Sequence, residues 1–502
     1  MSPTSLRPHM CGRNRTGWVA AAALGLSLAA GTAIAQVPTP TVTGPIASTD
    51  IPGAPTHNYI FFASDHPLAQ DGYTEQEYFF SGTANRYNTP VLATGSVIAS
   101  GVPYKTRMVV REPADKRQFN GTVIVEWLNV TNGFDADNLW FFDWEHILAE
   151  GYAWVGVSAQ LVGVNELKQW NPNRYGSLDV TNGGTVTDDS LSYDIFSQAA
   201  QAIRNPGFVN VLNGLKPKRI IGAGESQSAF RLSYYINDVN PLGNVYDGFL
   251  LLSTFGQQIR PDLSQPVFKV LTEFDVVNSE AAVRQPNTSM YRSWEIAGTS
   301  HVDVHLRKSR EPLELRDNPL FTNPVSSAEA MLAPQCAVPQ LGTLPPTGDV
   351  VNAAFDDLVQ WISNGTKPPI APYLDFTQIN PSPAQSVIAR NSLGLAIGGI
   401  QLPEVSVPTY LNVGTNSGPG ACVRWGYHLP FSVAELNEIY SGYDNYVNQV
   451  AKAANADVKK GFIEPQDARQ IIYQAIESGV GNPTQAQKDK ALAAFFTAEA
   501  GQ

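Results

Sequence analysis

A chain of 502 residues, 43% hydrophobic and 10% aromatic, carries enough apolar surface for a large core, which excludes a mainly disordered protein. Its 33 Lys and Arg against 45 Asp and Glu leave a net charge of −12, an acidic balance that argues against a nucleic-acid partner, whose phosphates need a basic face. The 41 Gly and 36 Pro form no repeat, so collagen-like and low-complexity readings fail.

The first 35 residues read as a leader. Arg7, Arg13 and Arg15 make a positive segment, residues 18–30 are small and apolar, and Ala33-Ile34-Ala35 supplies a small-x-small cleavage pattern. The expectation is a signal peptide over 1–35 and a secreted or periplasmic product. No later stretch is long and apolar enough to span a bilayer, so no membrane span is expected in the mature chain. Cys11 falls in the leader, which leaves Cys336 and Cys422. In an oxidising compartment two survivors are expected to pair, closing a loop of about 86 residues worth roughly 4 kcal/mol in the chain-entropy model.

Residues 36–58 are Pro- and Thr-rich, and an extended lead-in is expected over 36–72. From residue 73 to 301 strand-like and helix-like segments alternate. Strands are predicted at 73–83 and 104–111, then at TVIVEW (122–127), YAWVGVS (152–158), RIIG (219–222), GFLLLS (248–253), VFKVLT (267–272) and YRSWEIA (291–297). Helices are predicted at 140–150, 191–204 and 229–237. This alternation predicts an α/β core over 73–301 built on a doubly wound, mostly parallel sheet. Residues 302–502 read as a C-terminal extension or cap. It opens with a helix carrying Val351, Phe355, Leu358 and Ile362 on one stripe, passes through an irregular stretch at 365–426, and ends in helices at 432–454, 465–478 and 484–498.

Chemistry concentrates in RIIGAGESQSAFRLS. A strand runs into Gly224-Glu225-Ser226-Gln227-Ser228 and a helix leaves it, the context of a nucleophile elbow in the α/β-hydrolase fold. A serine on so sharp a turn needs small residues two before and two after it, and Gly224 and Ser228 meet that steric demand. A serine hydroxyl needs a base, and the base an orienting acid, which in such folds follow in the order Ser, acid, His on loops beyond later strands. VFKVLT ends in Glu273-Phe274-Asp275 and YRSWEIA leads to His301. Of the seven histidines only His301 directly follows a strand beyond the elbow, with His305 its nearest competitor. Asp275, expected on a loop, is preferred as the acid, and Glu273 stays open as the alternative. Donors for a tetrahedral oxyanion are expected from the Gln227 N–H and from Asn129, by backbone or side chain, in the loop after TVIVEW. His301 and His305 could share a helical face as zinc ligands do, but no third ligand lies near. No dinucleotide or Walker loop follows a strand, so no metal or organic cofactor is expected.

The blocks GESQSA and RLSYYIN, VEWLNVTNG, YAWVGVSAQ, TEFDVV and WEIAGTSHVD, with LVQWISNGTKPP and GLAIGGIQLPEVSVPTY in the extension, resemble the secreted bacterial alpha/beta hydrolase domain-containing proteins. The resemblance implies a serine hydrolase with its nucleophile and histidine at Ser226 and His301. The functional expectation is an exported hydrolase that cleaves small or polymeric carboxylic esters through an acyl-enzyme. Two alternatives stay open: a peptidase or amidase with the same residues, and a non-catalytic binding protein on a hydrolase fold.

Overall fold

Nine strands form one sheet in the computed structural model, which describes residues 37–317, 328–379 and 386–496; the predicted leader lies outside the described residues. They are β1 (Thr41–Thr43), β2 (Tyr73–Tyr87), β3 (Val97–Pro113), β4 (Thr122–Trp127), β5 (Ala153–Val157), β6 (Arg219–Glu225), β7 (Gly248–Leu252), β8 (Val267–Thr272) and β9 (Tyr291–Ile296), in the order β1-β2-β3-β5-β4-β6-β7-β8-β9. The pairs β1/β2, β2/β3 and β3/β5 are antiparallel, and all pairs from β5 to β9 are parallel. The parallel strands are buried almost end to end, which is why they read as unbroken apolar runs rather than alternating ones.

The first two long strands extend well past their predicted ends. Their outer parts, around Ala84–Tyr87 and Val97–Val102, are largely half-buried or exposed and lack the apolar–polar alternation of a half-buried strand, Val97 and Ile98 both being exposed, yet they pair as a hairpin from Tyr73↔Pro113 to Tyr87↔Val97. The lead-in also joins the core: Thr41–Thr43 adds an edge strand, and Tyr59, Phe61 and Phe62 are buried.

Helices pack on this sheet, namely α1 (Asn138–Ala149), α2 (Ser192–Arg204), α3 (Gln227–Tyr234) and α4 (Glu273–Asn278); α5 (Val304–Asp317) packs on α1, and α6 (Thr347–Asn364) returns to the sheet. On α6 the predicted stripe is realised, with Val351, Phe355 and Leu358 buried and Ile362 partly covered. The single helix expected over 432–454 is two, Val433–Ile439 and Tyr443–Lys460, because Gly442 takes a backbone conformation (φ 127°) that an α-helix does not hold. In the irregular stretch two small antiparallel ladders form, Phe376–Gln378 with Val387–Ile388 and Tyr410–Val413 with Tyr427–Pro430. Cys336 and Cys422 form a disulfide, S–S 2.04 Å. Among the described residues no helix is long and apolar enough to cross a membrane.

Because β4, β6, β8 and β9 run parallel, their carboxyl ends emerge at one edge of the sheet. That edge is where loops from different strands can meet, and it brings residues 128–133, 226, 275 and 301 together.

Candidate active site

Ser226 sits between β6 and α3 with φ 58° and ψ −120°, a region that costs a side-chain-bearing residue of order 1–3 kcal/mol and persists only when its surroundings hold it there. Its N–H donates to Leu252 O at 2.9 Å. A Cβ at Gly224 would lie 3.1 Å from Ala229 N and from Ser228 C, so the turn closes on a residue without a side chain. Ser228, in the position where small size is needed, also ties the turn: its hydroxyl donates to Glu225 O at 2.9 Å and accepts from Glu225 N at 3.1 Å.

From this turn a chain of hydrogen bonds crosses the sheet edge. Ser226 Oγ lies 2.7 Å from His301 Nε2, and His301 Nδ1 lies 2.7 Å from Asp275 Oδ1. With the hydroxyl donating to Nε2, the Nδ1–H donates to the carboxylate. All three side chains are buried, and the imidazole rests between the rings of Phe255 and Phe274, with centroids 5.5 and 5.4 Å away.

Asp275 lies in the first turn of α4 rather than on an open loop. Its Oδ2 accepts from Thr272 N at 2.8 Å and Thr272 Oγ1 at 2.7 Å, a capping box that leaves Oδ1 for His301. Glu273, two residues earlier, is turned away: its carboxylate pairs with Arg390 and accepts from Gly298 N at 3.0 Å and Gly414 N at 3.2 Å. Glu273 thus ties the strand ends to the extension, while the Asp275 carboxylate reaches the imidazole.

Asn129 is also occupied. Its N–H donates to Ala136 O at 2.9 Å, and its Nδ2 donates to Glu225 O at 2.9 Å and Glu225 Oε2 at 3.2 Å. The side chain braces the elbow, so both of its expected oxyanion donors are spent. The Gln227 N–H, first amide of α3, has no acceptor within its helix. Its side chain bridges to the Asn129 loop, Oε1 accepting from Val130 N at 3.3 Å.

Glu225 carried no signal in the sequence beyond its place beside Ser226. It is buried with Oε1 3.5 Å from His301 Nε2, and Oε2 accepts from Asn138 Nδ2 at 2.8 Å. Burial raises its pKa above the ordinary carboxylate range, with His301 acting the other way. The start of α1, which carries Asn138, is anchored by Glu126 of β4, whose buried carboxylate accepts from Leu139 N and Trp140 N.

Ser226, His301 and Glu225 line a cavity of about 340 Å3, a volume suited to a small organic molecule. Much of its wall comes from beyond residue 302: Leu306, Arg310, Leu332, Arg424 and Trp425. The extension also braces the histidine loop, since Thr343 Oγ1 accepts from Ser300 N at 2.8 Å and Arg424 O from Val302 N at 3.1 Å. His305 does not join the site; its Nε2 lies 3.7 Å from Glu145 and it lines other surface clefts. Among the described residues no cluster of three or more His, Cys, Asp or Glu is arranged to hold a metal.

Burial acts to lower the pKa of His301, but the charge and hydrogen bond of Asp275, with the charge of Glu225, outweigh it, so the net shift is upward from the ordinary 6.5. Only the neutral imidazole can take a proton from Ser226. The kcat/KM of a reaction that depends on this proton transfer is therefore expected to rise with pH through an apparent pKa above 6.5, and a profile already flat at pH 6 would contradict this electrostatic reading.

A mostly parallel sheet with helices packed on it and a strained serine between strand and helix define the α/β-hydrolase class. The chain belongs to the alpha/beta hydrolase domain family, whose model matches residues 42–473. No curated protein matches it. Similar solved structures include the rice cell wall degrading esterase LipA from Xanthomonas oryzae (10% identity, TM-score 0.23, 38% of this chain and 47% of that one). Others are the glucuronoyl esterase from Solibacter usitatus (8%, TM-score 0.23, 40% and 64%) and an esterase from Rhizomucor miehei (9%, TM-score 0.22, 38% and 66%). The match spans less than half the length of LipA, and overlaps this limited bear on neither substrate nor mechanism.

Proposed function

We propose that this protein is an exported serine hydrolase that cleaves carboxylic esters through a covalent acyl-enzyme. The observation that carries the reading is the unbroken hydrogen-bond chain Ser226–His301–Asp275, 2.7 Å at each link, opening on a cavity. Ser226 Oγ attacks the ester carbonyl while His301 Nε2 takes its proton. Asp275 fixes the Nδ1–H tautomer and stabilises the imidazolium. The Gln227 N–H, at the positive end of α3, donates to the oxyanion, a contact worth roughly a hundredfold or more in rate. His301 returns the proton to the departing alcohol. Water then enters, loses a proton to His301 and releases the acid and Ser226. The leader at 1–35 and the Cys336–Cys422 disulfide support export.

Side-by-side assays on 4-nitrophenyl esters and peptide 4-nitroanilides test the reaction class. Ester turnover that exceeds anilide turnover by orders of magnitude is expected. Comparable rates on the two would favour a peptidase, and no turnover of either would count against an enzyme.

A further inference from the structure

The cavity beside Ser226 is apolar over much of its wall, with Phe134, Leu306 and Trp425 among its lining, yet it also holds two guanidinium groups. Their situations differ. Arg310 is buried on α5 and its Nε lies 2.9 Å from Glu314 Oε1, one turn along, so its charge is balanced inside the wall. Arg424 belongs to α7 (Cys422–Trp425), is half-buried, and among the described residues no carboxylate forms an ion pair with it. The remaining carboxyl in the lining, Glu225, is engaged by Asn129 and Asn138 and faces His301, 3.5 Å from Nε2, rather than pairing with Arg424.

Nor is Arg424 a loose surface group. The disulfide to Cys336 pins Cys422 two residues before it, its own O holds Val302 N beside the catalytic histidine, and Trp425 O accepts from Gly342 N at 2.9 Å. The guanidinium is near enough to His301 to oppose its protonation. The backbone that carries this cation is fixed at three points, the cation shares the cavity wall with Ser226 and His301, and no carboxylate of the lining pairs with it; what the cavity lacks is an anion. A guanidinium fork matches a carboxylate in shape and charge, and a partly desolvated pair of this kind is worth roughly tenfold to hundredfold in binding.

We propose that Arg424 is a specificity determinant that selects esters carrying a carboxylate on one side of the scissile bond, such as the half-ester of a dicarboxylic acid or an ester of a hydroxy acid. This rests on the serine-esterase reading above. The carboxylate sits on the Arg424 guanidinium, the apolar body fills the cavity, and the ester carbonyl is presented to Ser226. Hydrolysis itself is unchanged.

The test compares kcat/KM on matched pairs for wild type, Arg424→Gln and Arg424→Lys. Mono-4-nitrophenyl glutarate against 4-nitrophenyl pentanoate places the charge on the acyl side, and 4-acetoxybenzoate against phenyl acetate places it on the alcohol side. The anionic-to-neutral ratio, compared between variants, cancels intrinsic reactivity. In at least one pair this ratio is expected to fall tenfold to hundredfold in Arg424→Gln and to stay within severalfold of wild type in Arg424→Lys. A ratio unmoved by Arg424→Gln in both pairs overturns the proposal, and if the neutral esters are still cleaved in a Ser226-dependent way, the esterase reading survives it. Absence of Ser226-dependent turnover on all four esters overturns both.

Discussion

Replacing Ser226 by Ala is expected to lower kcat on a 4-nitrophenyl ester by roughly 10⁴-fold or more while the protein stays folded. The hydroxyl makes one hydrogen bond, to His301, in a pocket that opens to solvent, and its backbone is held by the β6–β7 pairing and the Ser228 tie rather than by its side chain. Stability should therefore stay near wild type, as checked by thermal unfolding. A variant with near-normal turnover would remove Ser226 from the mechanism, and a variant that fails to fold would make the serine a structural residue.

The second large effect separates two neighbouring carboxylates. Asp275→Asn is expected to cost roughly 10⁴-fold in kcat, because an amide at the Oδ1 position no longer selects the tautomer whose Nε2 is free to accept. Glu273→Gln should act differently. Its carboxylate is fully buried and holds Arg390 and two glycine amides, so losing the charge is expected to destabilise the fold by about 3 kcal/mol. Its kcat, measured where the variant is folded, should fall by less than tenfold. The reverse pattern, with the larger kcat loss in Glu273→Gln, would make Glu273 the acid.

How far the chain could be read from its letters follows from what each feature depends on. The sheet was legible because buried parallel strands leave apolar β-branched runs, and the elbow because its steric demand falls on two positions, 224 and 228, adjacent in sequence to the serine. The placement of His301 and Asp275 beside Ser226 was reachable because loops at the carboxyl ends of parallel strands converge. What escaped were partnerships set in three dimensions. Nothing local says that Asn129 spends its amide on Glu225, 96 residues away, or that Glu273 faces Arg390, 117 residues away; the helix start at Asp275 was written locally, in its capping box with Thr272, and was missed. The cavity wall was least legible. Arg424 and Trp425 sit in a Gly- and Pro-punctuated stretch with no period, and they reach the site because a disulfide and the histidine loop hold them there.

The account stands on one hydroxyl being made nucleophilic by one imidazole. The most direct measurement is labelling with an active-site fluorophosphonate, read by intact mass and peptide mapping. One equivalent attached to Ser226 in the wild type, none in Ser226→Ala and strongly slowed labelling in His301→Ala is the predicted result. Folded wild-type protein that stays unlabelled, or label that persists in Ser226→Ala, would contradict it.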